Sequence, residues 1–338
     1  MDLNTIWFLL VGVLIIGYSI LDGFDLGVGA LYPFISKTEE DKKILLNSIG
    51  PVWDGNEVWL LTGGGALFAA FPLVYASVFS GFYLAMMLVL FALIFRAVAI
   101  EFRNKQNDLW WHRLWDRAFF IGSSVPALLF GVAVGNIVKG LPLDAAHNYT
   151  GGFFGLLNPY ALLLGLVGLT AFLVQGSTYT LIKTEGSLQQ RTKTLLPKLW
   201  ASYVVLFGLA TLYSYWAAPH LFANYAKYPL LLAIPLLTFI GMAGVPVAVK
   251  ASRYVLAFIA SSLAIAGQIL ILAIGIFPSW VPAVNPAYSL TIYNASSSPL
   301  TLKAMLIIAL TGVPLVLFYT GYVYWVFRGK VKLTDAKY

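Results

Sequence analysis

Between Trp53 and Trp59 the chain reads Trp-Asp-Gly-Asn-Glu-Val-Trp, so two carboxylates and an amide enter an apolar stretch that runs on to Phe71. Asp22 and Asp25 raise the same question in the preceding apolar stretch, and Arg96 and Glu101 raise it in the following one. An ionisable group at the centre of a hydrocarbon layer costs roughly 2.5–3.5 kcal/mol on insertion scales, so it reads as functional until a structural partner accounts for it. Asp22 and Asp25 are spaced i, i+3 on one helical face, as are Asp54 and Glu57. Arg96 keeps its proton and is the natural counter-ion. One fixed cation among several carboxyls favours keeping a proton on some of them, through desolvation and like-charge repulsion. Holding and passing protons is the chemistry such a set can do.

The elements that must position these groups are membrane helices. The 338 residues are 60% hydrophobic and 10% charged, with a mean hydropathy of +0.83; a soluble domain carries about 25% charged residues. Nine apolar segments of spanning length stand out, at about 6–34, 51–71, 74–101, 118–139, 159–182, 197–218, 228–249, 253–277 and 302–327. Pro51 and Pro229 suit first-turn positions, while Pro126, Pro235, Pro246 and Pro314 fall inside segments and predict kinks. The net charge of +7 does not indicate nucleic-acid binding, because the basic residues occupy short loops where they set topology. With the N-terminus outside, only Lys139, Lys227 and Lys303 of the 21 basic residues face outward. Arg96 lies within a helix, and the other seventeen, including Lys337 in the tail, face inward. The expectation is an all-α integral membrane protein with nine transmembrane helices, N-out and C-in. The N-terminus has no basic n-region and no small-residue cleavage site, so the first span should persist.

Topology gathers the scattered charges. The first helix runs inward, which puts Asp22 and Asp25 roughly 24–29 Å from its outer end at 1.5 Å per residue. The second helix starts at that level with Asp54 and Glu57, and the third brings Arg96 and Glu101 back to it. Taken singly, each acid also reads as an interfacial residue, a helix cap or half of a structural ion pair, Glu101 beside Arg103 above all. The glycines of Asp22–Gly29 permit close helix approach, and Gly63-Gly64-Gly65 reads as a packing surface rather than a phosphate loop.

Redox ligands are not where a buried cofactor would need them. There is no cysteine, and His112, His147 and His220 fall in loops or at helix ends. Met86, Met87, Met242 and Met305 read as core packing. From the fifth helix onward only Gln175 and Gln268 are large polar groups within spans.

The chain resembles subunit II of the cytochrome bd quinol oxidases. The similarity rests on Leu21-Asp-Gly-Phe-Asp-Leu-Gly-Val-Gly29, on Asn47 through Trp59, on Gly64-Gly-Ala-Leu-Phe-Ala-Ala-Phe-Pro72, on Phe79-Ser-Gly-Phe-Tyr83 and on Phe95-Arg96. Resemblance implies two four-helix bundles plus one peripheral helix. On that pattern residues 1–140 hold helices one to four with the ionisable cluster, 141–300 an apolar second bundle, and 301–338 the peripheral helix and a basic tail. It also implies a haem-bearing subunit I as partner, with haems b and d on that subunit and none on this chain. The complex, in a bacterial cytoplasmic membrane, would oxidise quinol and reduce oxygen to water with cytoplasmic protons. Small single-helix accessory subunits, an oxygen path and a structural quinone are compatible with this pattern. Carried over by position, Asp25 and Asp54 are the leading proton-path residues, with Asp22, Glu57 and Glu101 in support. Arg96 and Trp59 fall near internal channels. Many relatives have Gln at the position of Glu57, which argues against an essential charge there. The rival class is a stand-alone proton-coupled transporter, which would show repeated halves and a midplane polar site; here polarity is one-sided.

Overall fold

The computed structural model describes residues 2–332, so Lys337 and its neighbours in the tail lie outside the described residues. Twelve α-helices follow one another: α1 Leu3–Ile35, α2 Glu39–Ile49, α3 Trp53–Ala70, α4 Pro72–Gly81, α5 Tyr83–Phe102, α6 Leu109–Lys139, α7 Pro159–Lys183, α8 Gly186–Ala217, α9 Ala223–Lys227, α10 Ala233–Lys250, α11 Tyr254–Ile276 and α12 Pro299–Val326. Beta structure is confined to a two-stranded antiparallel ribbon between α11 and α12, β1 Ser279–Val281 with β2 Leu290–Thr291, and two isolated bridges. Among the described residues eight helices are long and apolar enough to cross a membrane: α1, α5, α6, α7, α8, α10, α11 and α12.

The second expected span, 51–71, is a helix but is not one of those eight. Asp54, Asn56 and Glu57 in its first turns dilute its apolar character. The third expected span, 74–101, is not continuous: it is split at Phe82 into α4 and α5. Other helices run past the apolar segments into polar sequence. α6 begins nine residues before 118, and α8 begins at Gly186, so Pro197 lies inside α8 rather than at its start. α2 is an amphipathic helix that the sequence reading did not anticipate. It is opened by a capping box in which Asp41 N donates to Thr38 Oγ1 at 3.1 Å and the Asp41 carboxylate accepts from Thr38 N.

α1 is the hub, packed against α3, α6, α7 and α11. Its glycines explain how it can touch so many neighbours. At Gly27 an added Cβ would collide with the carbonyl oxygen of Phe172, and at Gly176 one would lie 2.5 Å from Val28 N, so α1 and α7 cross backbone against backbone. Gly122 of α6 serves α5 in the same way, since a Cβ there would sit 2.7 Å from Arg96 N. The Gly63–Gly65 triplet behaves otherwise. Gly63 is buried, with Leu14 of α1 3.7 Å from an added Cβ, whereas Gly64 and Gly65 have nothing within 4 Å, so only the first glycine of that expected packing surface is used within this chain. The cause is orientation, because the α3 face carrying Leu61, Gly65 and Phe68 points away from α1.

α12 is the least embedded span, with only Leu302 buried. A few polar ties hold it. Trp7 Nε1 donates to Leu302 O at 2.9 Å at one end, and Lys183 Nζ donates to Phe327 O at the other.

Replacing Gly27 by alanine drives Cβ into a backbone carbonyl that cannot swing aside, an overpacking fault of about 1–3 kcal/mol. Gly27→Ala should lower the thermal unfolding midpoint of the detergent-solubilised protein. Gly208→Ala, in open space on α8, should leave it unchanged or raise it.

Candidate functional site

The polar centre is assembled by three helices. Arg96 of α5 is fully buried and reaches Asp22 of α1 and Glu57 of α3 with different nitrogens, Nη1 to Asp22 Oδ1 at 2.7 Å and Nη2 to Glu57 Oε1 at 2.7 Å. Only the Glu57 contact is aligned as a hydrogen bond. Both Asp22 oxygens and Arg96 Nε are buried without a well-formed one. Charge rather than directional bonding therefore holds Asp22. Glu57 keeps 23% of its side chain exposed, so the trio is closed at one end and open at the other.

Asp25 lies almost one turn beyond Asp22 and is also fully buried. Its Oδ2 accepts from Asn56 Nδ2 at 2.7 Å, while its Oδ1 has no hydrogen-bond partner among the described residues. Asn56 in turn accepts from the Tyr324 hydroxyl of α12 at 2.8 Å. Tyr18, one turn before Asp22, has its hydroxyl buried beside that carboxyl without a well-aligned hydrogen bond among the described residues. Three carboxyls thus adjoin a single guanidinium. A buried group so composed stays near neutral only by holding protons, since an uncompensated buried charge is costly.

Of the expected site residues, the structure brings together Asp22, Asp25, Glu57 and Arg96. Asp54 stands one turn from Glu57 on α3 and is exposed. Glu101 is exposed and makes no ion pair among the described residues; Arg103, its expected partner, pairs with Asp116 and Glu39 instead. Trp59 lays its indole against Gly17 of α1, where any Cβ would collide with the ring. Asn56 was visible within the Trp53–Trp59 run as an amide, but Tyr324 carries no such signal, since a tyrosine near a helix end reads as an interfacial anchor. Among the described residues no three His, Cys, Asp or Glu converge as metal ligands. His112 and His147 are spent on backbone carbonyls, those of Gln106 and Tyr288.

A second network sits at the ends of α5 and α6, on the side where the basic loops gather. Asp116 receives Arg103 Nε at 2.6 Å, Lys42 Nζ at 2.8 Å and the Tyr32 hydroxyl at 2.8 Å. Glu39 receives Arg103 Nη2 at 2.8 Å and Lys42 Nζ at 2.9 Å. Arg191 of α8 clips Asp41 at 2.5 Å, which ties α2 down on both flanks. Partial burial alone would push the Glu39 carboxyl up, but hydrogen bonds from Arg103 and Lys42 outweigh it and hold the group at about 2.

A helical membrane protein with a buried ion cluster open at one end, a second ion network at the ends of α5 and α6, and a largely apolar second half is the class these features define. The chain matches the family model described as cytochrome bd terminal oxidase subunit II over residues 3–327, and it belongs to that family. It is 40% identical to cytochrome bd-I ubiquinol oxidase subunit 2 of Escherichia coli (strain K12), covering 99% of this chain and 97% of the relative. It is 36% identical to cytochrome bd ubiquinol oxidase subunit 2 of Bacillus subtilis (strain 168), covering 98% and 97%. A chain in the structure of bd oxidase from Geobacillus thermodenitrificans superposes with a TM-score of 0.80 at 17% identity, over 99% of this chain and 100% of that one, which shows a shared fold.

Arg96→Leu strands two acids, and breaking a buried pair in this way costs on the order of 3–5 kcal/mol. The variant should show a sharply lowered unfolding midpoint or fail to accumulate in the membrane. Arg96→Lys should recover only part of the loss, because one ammonium cannot fork to both acids. Glu57→Gln, which retains an acceptor for Nη2, should be the mildest of the three. At the second network, a depressed carboxyl stabilises above its ordinary range and loses that contribution as pH falls from about 4.5 toward about 2. Amide protection across α2, taken relative to the intrinsic exchange rate, should therefore fall in that window in the native protein, and Glu39→Gln should remove the acid-side step.

Proposed function

We propose that this chain is the haem-free partner of a haem-bearing subunit I in a quinol:oxygen oxidoreductase, and that it carries protons toward oxygen reduction without doing redox chemistry itself. In this reading it crosses a bacterial cytoplasmic membrane nine times. The α3 helix is the additional crossing, the N-terminus is outside, and α12 is peripheral to two four-helix bundles built on α1–α6 and α7–α11. The seventeen-to-three division of basic residues supports that orientation. So does the covalent order α1–α3–α5, which returns three helices to one level.

The observation that carries the proton role is the graded exposure of one set of acids. Asp54 is exposed, Glu57 is partly exposed and Asp22 and Asp25 are fully buried. Protons enter at Asp54, pass Glu57 and the Arg96 guanidinium, and are held at Asp22 and Asp25. Arg96 cannot release a proton; its part is to keep the inner carboxyls in place and offset their charge. The haems b and d supply the oxygen chemistry on the partner subunit. The second reading, a purely structural role for the acids, is weaker, because Asp25 makes no ion pair among the described residues and would be simpler as an amide.

The test uses the complex purified with its partner. Haem b and d spectra and quinol-dependent oxygen uptake should co-purify with this chain. Asp25→Asn and Asp54→Asn should each slow oxygen uptake on the order of a hundredfold, the low end for a positioned proton-transfer group, with the haem spectrum unchanged. Full turnover in both variants would leave the acids a structural role only.

A further inference from the structure

We infer that Asn56 and Tyr324 form a positioning pair for Asp25, through which the peripheral helix α12 sets the state of the innermost carboxyl. This inference rests on the reading of Asp25 as a proton carrier and adds residues to it. The geometry is a chain of hydrogen bonds across three helices. The Tyr324 hydroxyl of α12 donates to Asn56 Oδ1 at 2.8 Å, and Asn56 Nδ2 of α3 donates to Asp25 Oδ2 of α1 at 2.7 Å.

An amide presents an acceptor at one end and a donor at the other, and little in an isolated pocket decides which end faces a carboxyl. Tyr324 decides it here. By donating to the oxygen of Asn56 it fixes the NH2 end toward Asp25, and Leu21 O, 3.4 Å from the same nitrogen, accepts from that end as well. Without the phenol, a rotated amide could turn its oxygen on the carboxylate. Asn56 is buried, so solvent cannot take over the role. The ring of Tyr324 is held edge-on to Phe24 with centroids 6.4 Å apart, and Phe24 stacks on Tyr179 at 3.9 Å.

The placement within the fold gives this pair its significance. α12 buries almost nothing and is held by a few polar ties, so its tie to the acid cluster is a large share of what registers it. Asp25 Oδ1 is left free of partners while Oδ2 is bound, so a single donor fixes the carboxyl in place and leaves one oxygen to take or give a proton. The charged and titratable groups around Asp25 are Asp22 on its own helix, Glu57 on α3, Arg96 on α5, Tyr179 on α7 and Tyr324 on α12. Of these, only Tyr324 reaches Asp25 through Asn56.

The experiment uses the purified two-subunit complex with variants Tyr324→Phe, Asn56→Leu, their combination, and Asp25→Asn. Tyr324→Phe keeps the ring packing and loses only the hydroxyl. Readouts are the pH profile of quinol-driven oxygen uptake and the carboxyl C=O stretching band of Asp25 in redox-difference infrared spectra, assigned by its disappearance in Asp25→Asn. The expected result is a displaced pH profile, a shifted band and a loss of turnover of about tenfold in each single variant, the scale of one hydrogen bond to a charged group. The double variant should be no worse than Asn56→Leu alone, because Tyr324 acts through Asn56. An unmoved band and profile in both single variants, with Asp25→Asn still slow, overturns the inference and leaves the proton role intact. A uniform loss of turnover without a band shift also overturns it, as a merely structural effect. Full turnover in Asp25→Asn would overturn the underlying reading, and the inference with it.

Discussion

The fold of the first half depends on one buried guanidinium. Arg96 is fixed at both ends of its fork, to Asp22 on α1 and Glu57 on α3, and the three helices can be no further apart than two bonds of 2.7 Å allow. Burying a charge is paid for only when partners replace water, and here the partners come from elements far apart in sequence. Other features follow from this constraint. Gly122 must be a glycine because α6 passes directly over the Arg96 backbone. Gly17 must be small because Trp59, two residues after Glu57 on α3, lays its ring against α1 there. Glu57 stays partly open because it lies near the start of α3, next to the exposed Asp54 turn.

The second half is built from other forces. Its helices α10 and α11 meet through Gly241 against Ala260 and Ala264, with no ion pair between them. Apart from Lys183 and Arg191 at helix ends, its helix-to-helix polar contacts include neutral bonds such as Gln175 to Ser262 at 2.9 Å, Tyr203 to Gln268 at 2.9 Å, and the Tyr160–Ser214 pair at 2.8 Å. Such bonds align helices at modest cost and carry no charge. The division of labour is physical. One half buries an ion cluster whose members compensate one another across three helices, and the other keeps buried charge low.

Legibility in the sequence followed the kind of force at work. Apolar run length located most of the long helices, and the expectation that Asp22, Glu57 and Arg96 meet agrees with the ion pairs that join α1, α3 and α5. The helical ends beyond the hydrocarbon were not legible, because the first turns of α6 and α8 and the whole of α2 are amphipathic and carry no hydropathy signal. The partner of Arg103 illustrates the same limit. Glu101 is two residues away but points outward, whereas Asp116, across the α5–α6 connection, faces it at 2.6 Å. Proximity along a chain says little where helix phase decides direction. The break at Phe82 and the open side of the glycine triplet at Gly64 and Gly65 belong to the same category, since both depend on what a face meets rather than on what it contains.

The unpaired face of α3 and the lightly buried α12 follow from one geometric fact. A helix that buries its charged stripe inward must turn its remaining surface outward, and for α3 that surface is Leu61, Gly65 and Phe68. α12 then lies beside α3 with little apolar area to gain from this chain, so polar ties rather than burial fix its register. Van der Waals packing alone would let such a helix slide along its axis, because lipid tails offer it contacts as good as leucines do. A hydrogen bond to a buried amide does not slide. The cost of leaving Asn56 unsatisfied in hydrocarbon is what locks α12 at Tyr324, and so the same amide that orders the acid site also orders the periphery.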